Sequence, residues 1–243
     1  MNLNKLFLTN NDCYKAGKKI TVKGIMVHST GANNPWLKRY LPDDGKIGKN
    51  QYGNHWNTAR PGGIQVCVHG FIGKLADGSV ATYQTLPWNH RGWHAGGTAN
   101  NTHIGFEICE DGLSDGTYFN KVYKEAVELC AYLCKEYGLT EKDIICHSEG
   151  YKKGIASNHG DVMHWFPKHG KSMDTFRSDV KKLLSGNTTA AVTELTTVND
   201  IVWELAHRGI ISDSALWLKK LEEDTNSYWL ARKTANYLRN KNV

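Results

Sequence analysis

Short apolar runs rich in β-branched residues constrain the fold of this 243-residue chain more than any other feature. Such runs, bounded by glycine and polar residues, are typical of β-strands. They span residues 24–28, 66–73, 79–86, 103–109 and 144–147. The dipeptide Asp77-Gly78 lies between the second and third runs, where it favours a tight hairpin turn. The first part of the chain is therefore predicted to contain a central β-sheet.

The apolar spacing changes to a helical period between residues 118 and 137. Steps of 4, 4, 3 and 4 residues place one set of side chains on a single helix face, and Gly138 is a suitable C-terminal stop. The residues of this set are Val122, Ala126, Cys130, Leu133 and Tyr137. A second helix is predicted over 172–184. Strands and helices mixed in this way predict an α/β domain over residues 1–186, with a central mixed β-sheet flanked by helices.

A change in composition after residue 186 predicts a second, smaller unit. Residues 187–197 are rich in threonine and are typical of a linker. Three helical patterns follow over 198–208, 213–223 and 227–239, and they predict a small C-terminal all-α module over 198–243. A unit of this size is marginally stable unless its tryptophans pack tightly or it associates, so a homo-oligomer is one expectation.

Charge and hydropathy exclude several classes of protein. No apolar run approaches the ~20 residues of a membrane span, so no membrane insertion is expected. The formal net charge is +6, yet the sequence has no block of like charges and no basic helix interleaved with aromatic residues. Nucleic acid is therefore not expected as a partner, and an anionic polymer such as a bacterial cell wall is favoured.

The six cysteines and the start of the chain bear on its compartment. Five of the cysteines lie in four apolar runs, and no CxxC pair is present, which favours buried, reduced thiols made in a reducing cytoplasm. The first eight residues lack the apolar core of a secretory signal. Synthesis and retention in a cytoplasm are therefore expected.

Ten of the eleven histidines lie before residue 170, which indicates metal or acid–base chemistry. His28 and His147 each end a predicted strand, and the polar loop 154–162 carries His159 and Asp161. Histidines at the ends of separate strands can converge with a loop carboxylate, and catalytic zinc takes three such ligands beside an open position. Spacing alone leaves structural histidines as an open alternative, because no known zinc spacing such as HExxH is present.

Five motifs occur in a consistent order along the chain. They are GIMVHSTG at 24–31, GWHAGG at 92–97, NTHIGFEICEDG at 101–112, ICHSEG at 145–150 and SNHGDVMHWF at 157–166. In this order they resemble the zinc-dependent N-acetylmuramoyl-L-alanine amidase family, which includes bacteriophage endolysins and peptidoglycan-recognition proteins. The resemblance covers about residues 20–183. It implies Zn²⁺ as the cofactor and bacterial peptidoglycan as the substrate.

The resemblance also implies a zinc ligand set. His28 matches the histidine of the family's V-H-S/T strand motif, and His147 matches that of its I-x-x-H motif. Asp161 matches the third ligand best, although Val162 stands where the family usually has proline. One alternative makes His159 the third ligand, with Asp161 orienting it through a hydrogen bond.

Four further residues receive roles from the same resemblance. Glu107 matches the general base, and His159 stands where the family often has a lysine that stabilises the oxyanion. A structural Glu107 would point unpaired into the protein at considerable cost, so the catalytic role is favoured. Trp93 and His94 match residues of the substrate groove, with simple core packing as the alternative for Trp93.

The predicted reaction is hydrolysis of the amide between the lactyl group of N-acetylmuramic acid and L-alanine by zinc-activated water. A recognition module that binds peptidoglycan without cutting it is the alternative, and such modules generally lack a metal ligand. A cysteine peptidase that uses Cys146 or Cys109 is a third hypothesis. The expected setting is a phage endolysin, held in the host cytoplasm before lysis and acting on the wall after release.

The C-terminal module over 198–243 is expected to bind the cell wall, including an anionic wall polymer. The alternatives for this module are oligomerisation and a simple stabilising appendage.

Overall fold

A computed structural model describes residues 1–185, 198, 201, 202, 205 and 210–241 of the chain. The chain forms two compact units, Met1–Leu184 and Ser185–Val243. The predicted linker at 187–197 and most of the helix predicted over 198–208 lie outside the described residues.

A six-stranded sheet lies at the centre of the described part of the first unit. Its strands are β1 (Leu3–Lys5), β2 (Gly24–Asn33), β3 (Gly70–Lys74), β4 (Val80–Gln84), β5 (His103–Glu110) and β6 (Ile144–Cys146). Their order across the sheet is β1-β4-β3-β5-β2-β6, with β3 and β4 antiparallel and the other neighbours parallel. The predicted mixed sheet is confirmed. The turn between β3 and β4 contains Asp77-Gly78, where Gly78 has a φ of 83°.

The α-helices described in this unit are α1 (Asp12–Ala16), α2 (Gly116–Tyr137), α3 (His147–Lys152) and α4 (Met173–Leu184). The two long helices, α2 and α4, cover one face of the sheet. The Asp115 carboxylate accepts hydrogen bonds from the backbone N–H groups of Thr117 and Tyr118, which starts α2, and Gly138 ends it with a φ of 64°. The apolar sides of α2 and α4 pack with Val27 and other strand residues into the largest buried cluster.

The opposite face of the sheet carries the polar residues that the motifs singled out. In the strand register His28 of β2 is paired with Glu107 of β5, and Glu107 with Phe71 of β3. Neighbours in register on parallel strands project from the same face, so these three side chains form one row. Phe71 packs there with Tyr40 and with Leu41, which cover part of this face.

The structure corrects several details of the predicted elements. His28 does not end its strand: β2 continues to Asn33, with its register shifted after Ser29, where Gly31 has a φ of 61°. The strand predicted from residue 66 begins only at Gly70, because Cys67 exchanges backbone hydrogen bonds with Trp93 instead. His147 follows β6 directly but is the first residue of α3.

The described part of the second unit contains α5 (Ser214–Glu223) and α6 (Thr225–Lys241). The Asp213 carboxylate accepts a hydrogen bond from the Leu216 N–H and starts α5. The unit has its own apolar cluster, whose buried members are Ile201, Val202, Leu205, Ile211, Leu221, Ala231 and Ala235. Across the described residues of both units, we find no helix that is long and apolar enough to cross a membrane.

Candidate metal centre

Two imidazoles and one carboxylate meet on the sheet face opposite α2. His28 comes from β2, His147 from the start of α3, and Asp161 from the segment between α3 and α4. The Nδ1 atom of His28 lies 3.1 Å from Nδ1 of His147 and 3.1 Å from Oδ2 of Asp161. A distance of 3.7 Å separates His147 Nδ1 from Asp161 Oδ2. In the part of the chain that the structure describes, this is the one cluster of three such ligand atoms within 4.8 Å of one another.

These separations fit a tetrahedral divalent ion. Ligand atoms that each lie ~2.0–2.1 Å from a tetrahedral zinc are about 3.3 Å apart, close to the three observed distances. Two neutral ring nitrogens that face each other at 3.1 Å repel through their lone pairs unless a proton or a cation lies between them. Two imidazoles and a carboxylate are also a donor set that suits zinc.

The electrostatics of the cluster favour the protonation states that a metal needs. Burial, assisted by the His28 imidazole, lowers the pKa of His147 to about 4. Burial alone would raise the pKa of Asp161, but the adjacent imidazole of His28, followed by that of His147, lowers it. At neutral pH His147 is therefore neutral and Asp161 is ionised, as metal ligation requires.

Glu107 places a carboxyl group in the same cavity. Its Oε2 is buried and has no hydrogen-bond partner among the described residues. Burial, followed by the charges of Asp161 and Glu110, raises the pKa of Glu107 well above its usual value. An unpartnered buried carboxyl is costly to the fold, and a raised pKa is typical of a group that takes up and returns a proton during catalysis.

His159 lies at the exposed rim of the cavity, beside the cluster rather than in it. Its ring centroid is 4.6 Å from that of His147, and its Nδ1 is 3.0 Å from Oγ of Ser157. The carboxylate that faces both cluster imidazoles is that of Asp161. The choice between Asp161 and His159 as the third ligand stays a prediction.

The two predicted groove residues lie at different depths. Trp93 forms part of the cavity wall, is 37% exposed, and carries the Arg91 guanidinium 4.6 Å from its ring centroid, so it is not a core residue. His94 also lines the cavity, but its Nδ1 lies 3.0 Å from Nε2 of His28. His94 therefore contacts a residue of the metal cluster directly.

The sequence analysis assigned no role to one pair of residues at this site, His164 and Glu110. His164 lines the cavity, and its Nε2 lies 2.9 Å from Oε1 of buried Glu110, which also accepts a hydrogen bond from the Gly31 N–H. Glu110 and His164 both belong to the motifs quoted above. Their presence in those motifs is the one feature of the sequence that could have indicated a place at this site. The whole cavity has a volume of about 680 Å³.

Comparison with known proteins places the chain in a family. The sequence profile described as N-acetylmuramoyl-L-alanine amidase matches residues 18–164, which is more than half of the chain. The chain therefore belongs to the N-acetylmuramoyl-L-alanine amidase family.

Individual relatives match shorter stretches. The N-acetylmuramoyl-L-alanine amidase XlyA of Bacillus subtilis (strain 168) is 38% identical over 68 residues, which cover 27% of this chain and 22% of XlyA. The N-acetylmuramoyl-L-alanine amidase CwlH of the same organism is 38% identical over 71 residues, covering 28% of this chain and 27% of CwlH. The chain thus spans about a quarter of the length of these curated relatives.

The fold is shared with a solved structure. The catalytic domain of XlyA superposes with a TM-score of 0.50 at 23% identity, over 74% of this chain and 99% of that domain. This likeness shows a common fold, a mixed sheet flanked by helices.

Proposed function

We propose that this chain is a zinc-dependent enzyme that hydrolyses the amide between the lactyl group of N-acetylmuramic acid and L-alanine in bacterial peptidoglycan. One observation carries the proposal: the cluster of His28, His147 and Asp161 shares its cavity with the unpartnered Oε2 of Glu107. Family membership and the names of the relatives support the choice of this bond.

His28 and His147 would hold the zinc ion through Nδ1, and Asp161 through Oδ2. The bound ion supplies Lewis acidity, which polarises the scissile carbonyl and lowers the pKa of water.

The remaining steps belong to side chains of the protein. Glu107 accepts the proton of the attacking water at Oε2 and then delivers it to the departing amide nitrogen. His159, whose Nδ1 lies 3.0 Å from Oγ of Ser157, would donate Nε2–H to the carbonyl oxygen as negative charge develops there. Trp93 offers its exposed face to the substrate at the cavity wall.

The cysteines of the alternative peptidase hypothesis are poorly suited to nucleophilic attack. Burial raises the pKa of the Cys146 thiol and raises that of Cys109 well above its usual value. A thiolate is the reactive form, so both residues are held in the inert state.

The test is a product analysis of isolated cell walls digested with the full chain. We expect new amino groups of L-alanine and no new reducing sugar ends. Glu107→Gln lowers the rate by about 100-fold or more, because the base is lost, while wall binding persists. Glu136→Gln makes the same chemical change on the exposed side of α2 and serves as the matched control.

Two outcomes would overturn the proposal. Release of reducing ends would show a glycosidase, and binding without any cleavage would show a recognition module. A Glu107→Gln variant with the wild-type rate would remove Glu107 from the mechanism.

We further propose that the enzyme is a phage endolysin, made in the host cytoplasm and acting on the wall after release. All six cysteines are buried and free, which agrees with synthesis in a reducing compartment. In this proposal residues 1–186 form the catalytic domain, and the module over 198–243 binds the wall or its anionic polymer. Addition of the protein to intact and to permeabilised host cells tests the setting, since an endolysin reaches its substrate from inside only after the membrane opens.

A further inference from the structure

His94 takes part in a chain of hydrogen bonds that ends at the metal cluster. Its Nε2 lies 3.1 Å from the backbone oxygen of His103. A carbonyl oxygen can only accept, so Nε2 of His94 carries the hydrogen. In the neutral imidazole the lone pair is then on Nδ1, and this atom lies 3.0 Å from Nε2 of His28. His28 must therefore donate Nε2–H to His94, which leaves the lone pair of His28 on Nδ1.

The same logic holds for the second imidazole of the cluster. Ser157 Oγ lies 3.3 Å from the Ala95 carbonyl oxygen, to which it donates its hydrogen. Its oxygen is then free to accept Nε2–H of His147, at a distance of 3.3 Å. The lone pair of His147 is accordingly on Nδ1, facing the lone pair of His28 at 3.1 Å.

Both chains start from one segment, GWHAGG at residues 92–97, and its backbone is tightly held. Buried Asn100 accepts hydrogen bonds at Oδ1 from the backbone N–H groups of His94 and Ala95, each at 2.8 Å. The segment therefore presents the His94 ring and the Ala95 carbonyl in fixed positions.

Glycines make the space that these contacts need. A Cβ atom on Gly105 of β5 would overlap the ring of His94, and one on Gly92 would lie 2.8 Å from that ring. A Cβ atom on Gly96 would lie 2.5 Å from Oγ of Ser157. Real Cβ atoms do not approach so closely, so the absence of side chains at these positions lets the rings and the hydroxyl sit where they do.

We propose that the GWHAGG segment is the positioning element of the metal site, in which His94 and, through Ser157, Ala95 fix the tautomers of His28 and His147. This inference rests on the proposed function, because it assumes that zinc binds to the lone pairs that the two tautomers expose. His94 is thus a positioning residue. Outer hydrogen-bond partners of this kind typically change metal affinity by about 10–100-fold.

Two substitutions at His94 separate the two ends of its hydrogen-bond chain. The amide of His94→Gln reaches the place of Nε2 and retains the bond to the His103 carbonyl, but it loses the acceptor for His28. The amide of His94→Asn places its oxygen near the position of Nδ1 and retains that acceptor. We expect His94→Gln to weaken zinc binding by about 10–100-fold, and His94→Asn to weaken it much less. Ser157→Ala is expected to weaken zinc binding by about 10-fold.

Zinc affinity of the full chain is measured by competition with a chromophoric chelator, and folding is checked by circular dichroism of the metal-free variants. NMR adds a signature that a general loss of packing would not give. The His28 Nε2–H resonance should be protected from solvent exchange in zinc-loaded wild type and His94→Asn, and should exchange rapidly in His94→Gln.

The outcomes distinguish the two proposals. A wild-type chain that binds no zinc contradicts the proposed function. If the wild-type chain binds zinc and the folded His94→Gln and Ser157→Ala variants bind it with the same affinity, the positioning role is contradicted. The proposed function is not affected by that result. Equal exchange of the His28 Nε2–H in His94→Gln and His94→Asn would also overturn the positioning role.

Discussion

Glu107 shows at the scale of one residue how a proposed catalytic group can lower stability. Its Oε2 is buried without a partner among the described residues, and its pKa is raised well above the usual value, first by burial. The unfolded chain ionises this carboxyl near its ordinary pKa of about 4.5. Above that pH the folded state is penalised, because it holds a proton that the unfolded chain releases or else buries a charge.

Replacing Glu107 with the similarly long, apolar methionine should therefore stabilise the metal-free protein. We expect a gain of about 1–2 kcal/mol at about pH 7.5 that shrinks as the pH falls towards about 4.5, where the unfolded chain is protonated too. Urea unfolding in the presence of a chelator measures this gain in the free energy of unfolding. Glu136→Met, on the exposed side of α2, is the control and should change stability by less than about 0.5 kcal/mol. A Glu107→Met variant less stable than wild type at neutral pH would contradict the argument.

His69 makes the opposite contribution to pH dependence. It is fully buried, its Nε2 donates to the His90 carbonyl at 2.8 Å, and its Nδ1 accepts from the Gly105 N–H at 3.0 Å. Burial lowers its pKa to about 4 from an ordinary value of 6.5. As the pH falls, the unfolded chain therefore takes up a proton at His69 before the folded protein does. The free energy of unfolding decreases as the pH falls from about 6.5 to about 4.

The expected loss from His69 alone is about 3 kcal/mol for this shift. His69→Gln has no titrating ring, so its stability should depend less steeply on pH than that of wild type. Urea unfolding of both metal-free proteins across this range gives the comparison. Parallel pH profiles for the two proteins would show that His69 does not titrate as described.

The amino-acid sequence was enough to predict some of the site residues but not all of their contacts. Glu107 could be predicted, because a glutamate inside an otherwise apolar strand needs an explanation and the I-G-x-E motif gives one. The contact between His94 and His28 could not, because the two residues lie 66 positions apart and meet only through loop geometry. The roles assigned to the site residues stay predictions until they are measured.

At the scale of elements, β5 carries both Glu107, the proposed general base, and the glycine that lies against His94. Glu107 and Gly105 project from the same face of this strand, two residues apart. The His94 ring lies directly against Gly105, in the space that a side chain at this position would occupy.

Gly105→Ala should displace the His94 ring and so weaken zinc binding. We also expect a loss of about 1–3 kcal/mol in the free energy of unfolding, as for other overpacked core positions. Gly116→Ala is the matched control, because its Cβ would have only a 3.8 Å neighbour and the site is helical. That variant should be unchanged or slightly more stable. Calorimetry and chelator competition measure both effects, and a Gly105→Ala variant that matches wild type in both would contradict this account of the strand.

Long elements were predictable and short ones were not. The helix predicted over 118–137 corresponds to α2 at Gly116–Tyr137, because five helical turns give a clear period and a terminal glycine. Strand β1 and helices α1 and α3 have three to six residues, too few for any periodicity to appear. The extension of β2 past His28 depends on pairing with β5, which local sequence does not encode.

At the scale of the whole molecule, the two units have separate apolar clusters. If the second unit binds the wall, a chain that ends at residue 185 should hydrolyse a soluble muramoyl peptide at the full-length rate. Its binding to intact walls should fall by about 10-fold or more, because one of two attachment points is lost. Sedimentation with walls and a soluble-substrate assay test this. Equal wall binding by the two chains would favour the oligomerisation or stabilising role instead.

We propose that one zinc ion, held by His28, His147 and Asp161, is required for cleavage of the muramoyl–alanine amide. The most direct measurement is amide cleavage by the metal-free full chain as zinc is added back in steps. We predict no cleavage at the start, activity that saturates at one equivalent of zinc, and no recovery in Asp161→Ala at that stoichiometry. Undiminished cleavage by the chelated protein, or full recovery of Asp161→Ala at one equivalent, would contradict the claim.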